Sequence, residues 1–261
     1  MNQTDSNQQK RIKRASLWVM IAAAATIVTA AIIMLVGNPA PYLADNAFGF
    51  KSAIIWFELV NSPAEVFDVL GPYGTSDGDY LRLVMDTINE IDFAFMIAYP
   101  ALMAAFMYYL YVLNGALGRV YFSERFYLYA GFILAVCMWL GDLMENIQLL
   151  QLTRAESVQA ISDGDILALQ VWTRVKWGAL FLGMLHLGLA WFAYSGRKWT
   201  LLLGPIFIAT FLMGLFGLVP RGDRALVELA SSIFMPASWI IVLIHAISKW
   251  FQPYVSNRIE P

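Results

Sequence analysis

Six apolar blocks dominate this chain, and each is long enough to cross a bilayer. They run from about Ala15 to Val36, Ile88 to Leu113, Phe126 to Leu150, Val171 to Tyr194, Trp199 to Val219 and Val227 to Trp250. About 20 residues at ~1.5 Å rise each cover the ~30 Å of hydrocarbon. Backbone N–H and C=O groups need internal partners there, so separate blocks of this length cross as helices. The expected fold class is therefore all-α: a polytopic membrane helix bundle with about six transmembrane helices. Along the chain this reads as a cytoplasmic basic tail (1–14), a first transmembrane anchor (15–37), an extracytoplasmic or interfacial helical loop (38–87), a five-span bundle (88–251) and a cytoplasmic tail (252–261).

Composition agrees with a bilayer as solvent. Hydrophobic residues make up 59% and charged residues 14%, the latter well below the roughly 25% of soluble domains. The net charge of −2 gives no reason to expect nucleic acid, so membrane lipids are the expected surroundings. The one cysteine, Cys137, rules out an intrachain disulfide. Lys10, Arg11, Lys13 and Arg14 precede the first block. That block exceeds the 7–15 residues of a signal-peptide core, and the best cleavage candidate, Asn38-Pro39-Ala40, is followed by Pro41, so a retained anchor is expected.

The same four charges orient the chain by the positive-inside rule. Arg119, Arg125, Arg197, Lys198, Lys249 and Arg258 fall on their side; Lys51, Arg82, Arg154, Arg174, Lys176, Arg221 and Arg224 fall on the other. Both termini are expected inside a bacterial inner membrane.

The outer connections carry helix signals. Ser62-Pro63-Ala64-Glu65 is a capping box with proline at the first helical position, and Gly71-Pro72 ends that helix. The apolar stretch from Lys51 to Val60 is too short to span, which places it along the interface or partly re-entrant. No breaker follows Gly78 until Pro100, so span two can protrude from about Asp79, with Arg82 beside Asp79 and Asp86. Thr153–Glu156 and Ser162–Asp165 read as two further helix starts.

Span three contains Gly141-Asp142-Leu143-Met144-Glu145-Asn146. Positions i, i+3 and i+4 share one helix face, so Asp142, Glu145 and Asn146 point together. An acid at membrane depth costs roughly 2.5–3.5 kcal/mol on insertion scales and needs a partner or a wet cavity. Lys176 of span four lies at matching depth and is the expected counter-ion, with Arg174 a snorkelling alternative. Asp92 and Tyr99 of span two share a face and extend the centre, though a helix cap accounts for Asp92 equally well. Glu58 either joins the centre or is solvated. Small residues Ala179 and Gly183 continue the Lys176 stripe to His186. His186 reads as a proton relay or as a buried imidazole bonded to a neighbouring carbonyl. Pro100 and Pro236 can kink their helices. Glu228 reads as a cap, His245 as interfacial, and Trp172, Trp177, Trp199 and Trp250 as an interfacial belt.

The order of these motifs (Phe57-Glu58-Leu59, Asp92-Phe93, Asp142-x-x-Glu145-Asn146, Lys176-Trp177) resembles a group of uncharacterised bacterial multi-pass membrane proteins. The resemblance covers about Ile54 to Trp177 and implies which residues matter, not a reaction. No H-E-x-x-H, Walker or G-x-S-x-G motif is present, so no cofactor and no metal are expected from motifs. Carboxylates outnumber cations at the centre, which points to a proton, cation, metal or amine, or to a protonated acid. Three functions stay open: transport coupled to such an ion, an intramembrane enzyme acting on a lipid, and a non-catalytic envelope protein whose acid–lysine cluster is a structural ion pair.

Overall fold

A computed structural model describes residues 3–36, 49–116, 124–193, 198–219 and 222–252. Its elements are helices α1 (Gln3–Val36), α2 (Ala53–Glu58), α3 (Pro63–Leu70), α4 (Ser76–Ala116), α5 (Glu124–Leu152), α6 (Asp163–Ala193), α7 (Lys198–Leu218), α8 (Ala225–Leu229) and α9 (Met235–Phe251). A 3-10 turn at Val158–Ala160 precedes α6, and a π-helical turn at Ala230–Phe234 joins α8 to α9. Among the described residues there is no strand. The fold is an all-α helix bundle. Six of its helical segments are long and apolar enough to cross a membrane: Ser6–Val36, Ser76–Gly115, Phe126–Leu152, Asp163–Ala193, Leu201–Leu218 and Ala225–Phe251. This is the architecture of a multi-pass membrane protein.

Neighbours in the chain pack as neighbours in space. Helix α1 lies on α4, α4 on α5, α5 on α6 and α6 on α7, while α9 closes back onto α1. Helix α4 also touches α6 across the bundle. These two are the central helices: each buries more than half of its most apolar window, whereas α1 buries less than a fifth. The apolar side chains left outside, among them Ile21, Val28, Leu35, Ile133, Leu201, Phe216 and Ile244, make a lipid-facing girdle. Glu58, Glu65, Arg82, Asp142, Glu145 and Lys176 are instead buried inside the bundle, as hydrocarbon surroundings require of charge at that depth.

Several local expectations changed. Helix α1 begins at Gln3, so the basic segment is helical and continuous with the first span. Helix α6 begins at Asp163, about eight residues ahead of the expected Val171. Ser162 starts it by a reciprocal cap: its hydroxyl accepts from the Asp165 N–H at 3.2 Å, and its own N–H donates to Asp165 Oδ2 at 2.9 Å. Thr153, in contrast, starts nothing. Its hydroxyl donates to Asp86 across the α5–α4 contact, so it is spent on packing. Pro236 produces no break; the Met235 N–H reaches the Ala230 carbonyl, a π-turn that absorbs the donor missing at the proline.

The return bond of the expected capping box goes one residue further back, from the Asn61 N–H to Glu65 Oε2 at 2.8 Å, but Ser62 does cap α3. Its hydroxyl accepts from Glu65 N–H at 3.2 Å, and Gly71 ends α3 at φ 72°. Arg82 does not pair with Asp79 or Asp86 as its spacing suggested. It is buried, and its Nη1 donates to the carbonyls of Leu70, Gly71 and Gly78 at 3.1, 3.0 and 3.2 Å. The guanidinium is held between Phe67 and Tyr73 with Nη1 aimed at these backbone acceptors, while Asp79 and Asp86 accept instead from the Gly74 N–H and the Thr153 hydroxyl. Glu228 caps no helix end either; its Oε2 accepts from the Lys51 N–H at 2.8 Å, while Asp223 accepts from Ala225 N–H at the helix start. The Asn38–Pro41 segment and the charges at Arg119, Arg197, Arg221 and Arg258 lie outside the described residues, as do the side chains of Arg125, Lys198 and Trp199.

Candidate functional site

Helix α5 presents Asp142, Glu145 and Asn146 on one face because the three are spaced i, i+3 and i+4. Helix α6 brings Lys176 against that face at very short range. The approach depends on Gly141: a Cβ there would stand 2.5 Å from the Lys176 amide nitrogen and 2.8 Å from its Cα. Lower down, Gly183 admits Met138 and Met103, whose Cε atoms would lie 2.7 and 2.9 Å from an added Cβ. Gly141 therefore sets the separation of α5 and α6, whereas the neighbours of Gly183 are the flexible ends of methionine side chains.

The third wall comes from the loop. Helix α2 is only six residues, too short to span, and packs against α3, α5 and α6 with Trp56, Phe57 and Glu58 buried. Thr173 on α6 donates its hydroxyl to the Glu58 carbonyl at 3.0 Å, and Trp177 Nε1 donates to Glu58 Oε2 at 3.0 Å. These two bonds deliver the Glu58 carboxylate to Lys176.

The result is one ammonium ringed by three carboxylates. Lys176 Nζ lies 3.0 Å from Glu58 Oε2 and 3.2 Å from Asp142 Oδ1, and it also contacts Glu145 Oε2. Its charge sits 5.1 Å from the centroid of the Trp177 ring, within cation–π range. All four ionic side chains are buried, and Glu145 is 0% exposed. Among the described residues no hydrogen-bond donor reaches Glu145 Oε1. Burial pushes the Glu58 carboxyl above the ordinary glutamate range, against the pull of Lys176 towards its charged form.

Two further candidates border this group. Asp92 accepts from Asn146 Nδ2 at 2.6 Å, which ties α4 to the acid face of α5. It sits four turns inside α4, so the capping role does not apply. The Tyr99 hydroxyl is buried within electrostatic reach of Asp142, Lys176 and Asp92. Of the eight sequence candidates, Glu58, Asp92, Tyr99, Asp142, Glu145, Asn146 and Lys176 thus come together. His186 does not. It lies ten residues beyond Lys176, about 15 Å along the axis, stacked on Tyr127 and bonded through Nε2 to the Tyr127 carbonyl at 2.9 Å. Arg174 is also outside the cluster and donates to Gln170.

Other residues were assigned to the wrong environment from sequence. Trp177 belongs to the cluster rather than to an interfacial belt, and its place beside Lys176 in the Lys-Trp pair was the available signal. Thr173, one turn before Lys176 on the same face, carried the same hint. His245 is buried, not interfacial: its Nδ1 meets the Tyr109 hydroxyl at 2.8 Å and its ring meets Trp191 edge-on. A second ion pair, Arg224 to Glu65 at 2.8 Å with Trp56 Nε1 on the same oxygen, had no local signature. Among the described residues no set of three or more imidazole, thiol and carboxylate groups is arranged to hold a metal ion.

No family model, curated protein or solved structure matches the chain.

Proposed function

We propose that this multi-pass membrane protein takes up a proton at the buried cluster of Glu58, Asp142, Glu145 and Lys176, and uses it in ion-coupled transport. One observation carries the reading. Three buried carboxylates face one ammonium, so full ionisation leaves two uncompensated negative charges. Uncompensated charge in such surroundings costs several kcal/mol per ion, and a group that can neutralise itself does so. The ammonium already fills the point the three acids share, which favours a proton on a carboxylate over a second, larger cation among them. Lys176 can then shift its weight among acids as their protonation changes, which gives the cluster more than one electrostatic state. The order of motifs supports a bacterial inner membrane as the setting, while the basic cluster Lys10, Arg11, Lys13 and Arg14 supports cytoplasmic termini and, with them, a cluster towards the outer leaflet. Enzymatic attack on a lipid has less support, since among the described residues no serine or cysteine side chain pairs with the three acids.

The test is reconstitution of wild type, Glu145→Gln and Lys176→Met into vesicles, following folding, proton and cation flux, and lipid turnover. Folded variants that lose proton-coupled flux support the proposal. Lipid turnover that disappears with either substitution replaces it with the enzyme reading. Single variants that misfold, with recovery in the double variant, reduce the cluster to a structural ion pair.

A further inference from the structure

The cluster has one acid that does not lie wholly inside the bundle. Glu58 lines a cavity of about 120 Å³ bounded by the α2–α3 connection, by Thr173 and Arg174 of α6, and by Val219 and Arg224. One water needs about 10–15 Å³ on that measure, so several fit. Asp142 and Glu145 do not line this space. They stand behind Glu58, with Lys176 Nζ touching all three. Cavity, Glu58, Lys176 and the α5 acids therefore form a series rather than a ring open on every side.

We infer that this cavity is the proton port of the cluster and that Glu58 is its first acceptor, an inference that rests on the proton-uptake reading above. The groups facing Glu58 agree with that assignment. From α6 come Lys176 and Trp177, both on its Oε2. From α5 come the charges of Asp142 and Glu145, and from α4 that of Asp92. The cavity lining also includes Arg174, which is exposed, and Arg224, held by Glu65. Guanidinium groups at the mouth oppose entry of metal or ammonium ions, while a proton arrives along water. In the uptake step a hydronium ion gives its proton to a Glu58 carboxylate oxygen and becomes water; Glu58 becomes the neutral acid. Lys176 stays an ammonium and is left to Asp142 and Glu145. Burial already favours that neutral form of Glu58.

The chain has a single cysteine, so a port label is straightforward. In a Cys137→Ser background, Val219→Cys places a thiol at the cavity on a side chain that is 43% exposed. The full-length protein in lipid nanodiscs is modified with a bulky, reducible thiol reagent, and proton uptake after a pH jump is read with an indicator dye. Asn61→Cys, on another element lining the cavity, repeats the measurement. The port predicts unchanged total uptake that slows by about tenfold or more, as for a group waiting on local opening, with recovery on reduction. Equal rates before and after modification at both positions overturn the port and leave proton uptake standing. If the unmodified protein shows no uptake that Glu58→Gln or Glu145→Gln removes, the proton reading itself fails, and the port with it.

Discussion

The backbone of Gly141 packs directly on the backbone of Lys176, so close that a Cβ at 141 would stand 2.5 Å from the lysine amide nitrogen. Both contacting atoms are main chain, which cannot swing aside. Gly141→Ala must push α5 away from α6 at the level of the cluster. Overpacking of this kind costs about 1–3 kcal/mol. Gly178, two residues beyond Lys176, has nothing within 4 Å of an added Cβ. There the alanine relieves the conformational cost of a helical glycine, so Gly178→Ala should stabilise by about 0.5–1 kcal/mol. Opposite signs for the two variants in thermal unfolding of the purified protein would check this contact.

The three-to-one ratio around Lys176 predicts an asymmetric response. Removing one member of a buried pair usually costs about 3–5 kcal/mol, because the other charge is stranded. Lys176→Met strands three carboxylates and should fall at the upper end of that range. Glu145→Gln leaves Lys176 with Glu58 and Asp142, so its cost should be well under half as large. The double variant should recover little, since two acids remain unpaired. Chemical denaturation of the four proteins gives the cycle directly; a nearly full recovery would mean that Lys176 and Glu145 act as an isolated pair.

How much of this was legible in the sequence follows the range of the interactions involved. The helices were, because apolar length is a local property, and so were the caps at Ser62 and Ser162, where both partners lie within four residues. The facing of Asp142, Glu145 and Asn146 followed from helical periodicity, and Lys176 from matched depth on the next span. Glu58 stayed undecided because its delivery depends on Thr173 and Trp177, more than a hundred residues away. Arg82 was misread for a related reason. Its acids at i−3 and i+4 are visible in sequence, but two of the three carbonyls that win, Leu70 and Gly71, are brought within reach only by the turn at Gly71. His245 read as interfacial because nothing near position 245 announces Tyr109.

Arg82 should be the keystone of the α3–α4 corner. Its three carbonyl bonds satisfy acceptors at the end of α3 and the start of α4. Hydrogen bonds from a charged donor are each worth about 1.5–3 kcal/mol, though losses within one network do not add. Arg82→Lys keeps the charge but loses the planar fork and its stacking on Phe67 and Tyr73. We expect faster amide hydrogen exchange from Leu70 to Gly74 in that variant, with exchange at the α5–α6 contact unchanged. Uniform acceleration along the chain would contradict a local clamp.

Glu58 carries a pH signature whose sign follows from its burial. Its folded-state pKa is raised, chiefly by desolvation, with Lys176 opposing. A folded state that holds its proton more tightly than the unfolded chain gains stability at low pH. That contribution is complete below the ordinary glutamate range and is lost as pH rises through the raised folded value. Glutamine at 58 is permanently neutral and of similar shape, so Glu58→Gln lacks this titration. Wild type and Glu58→Gln should therefore be closest in stability at acid pH, and the variant should gain on wild type as pH rises. Denaturant midpoints for both proteins across that range would measure the difference. A variant that instead loses ground steadily with rising pH would show that the Lys176 contact outweighs burial, and that Glu58 is held as a carboxylate.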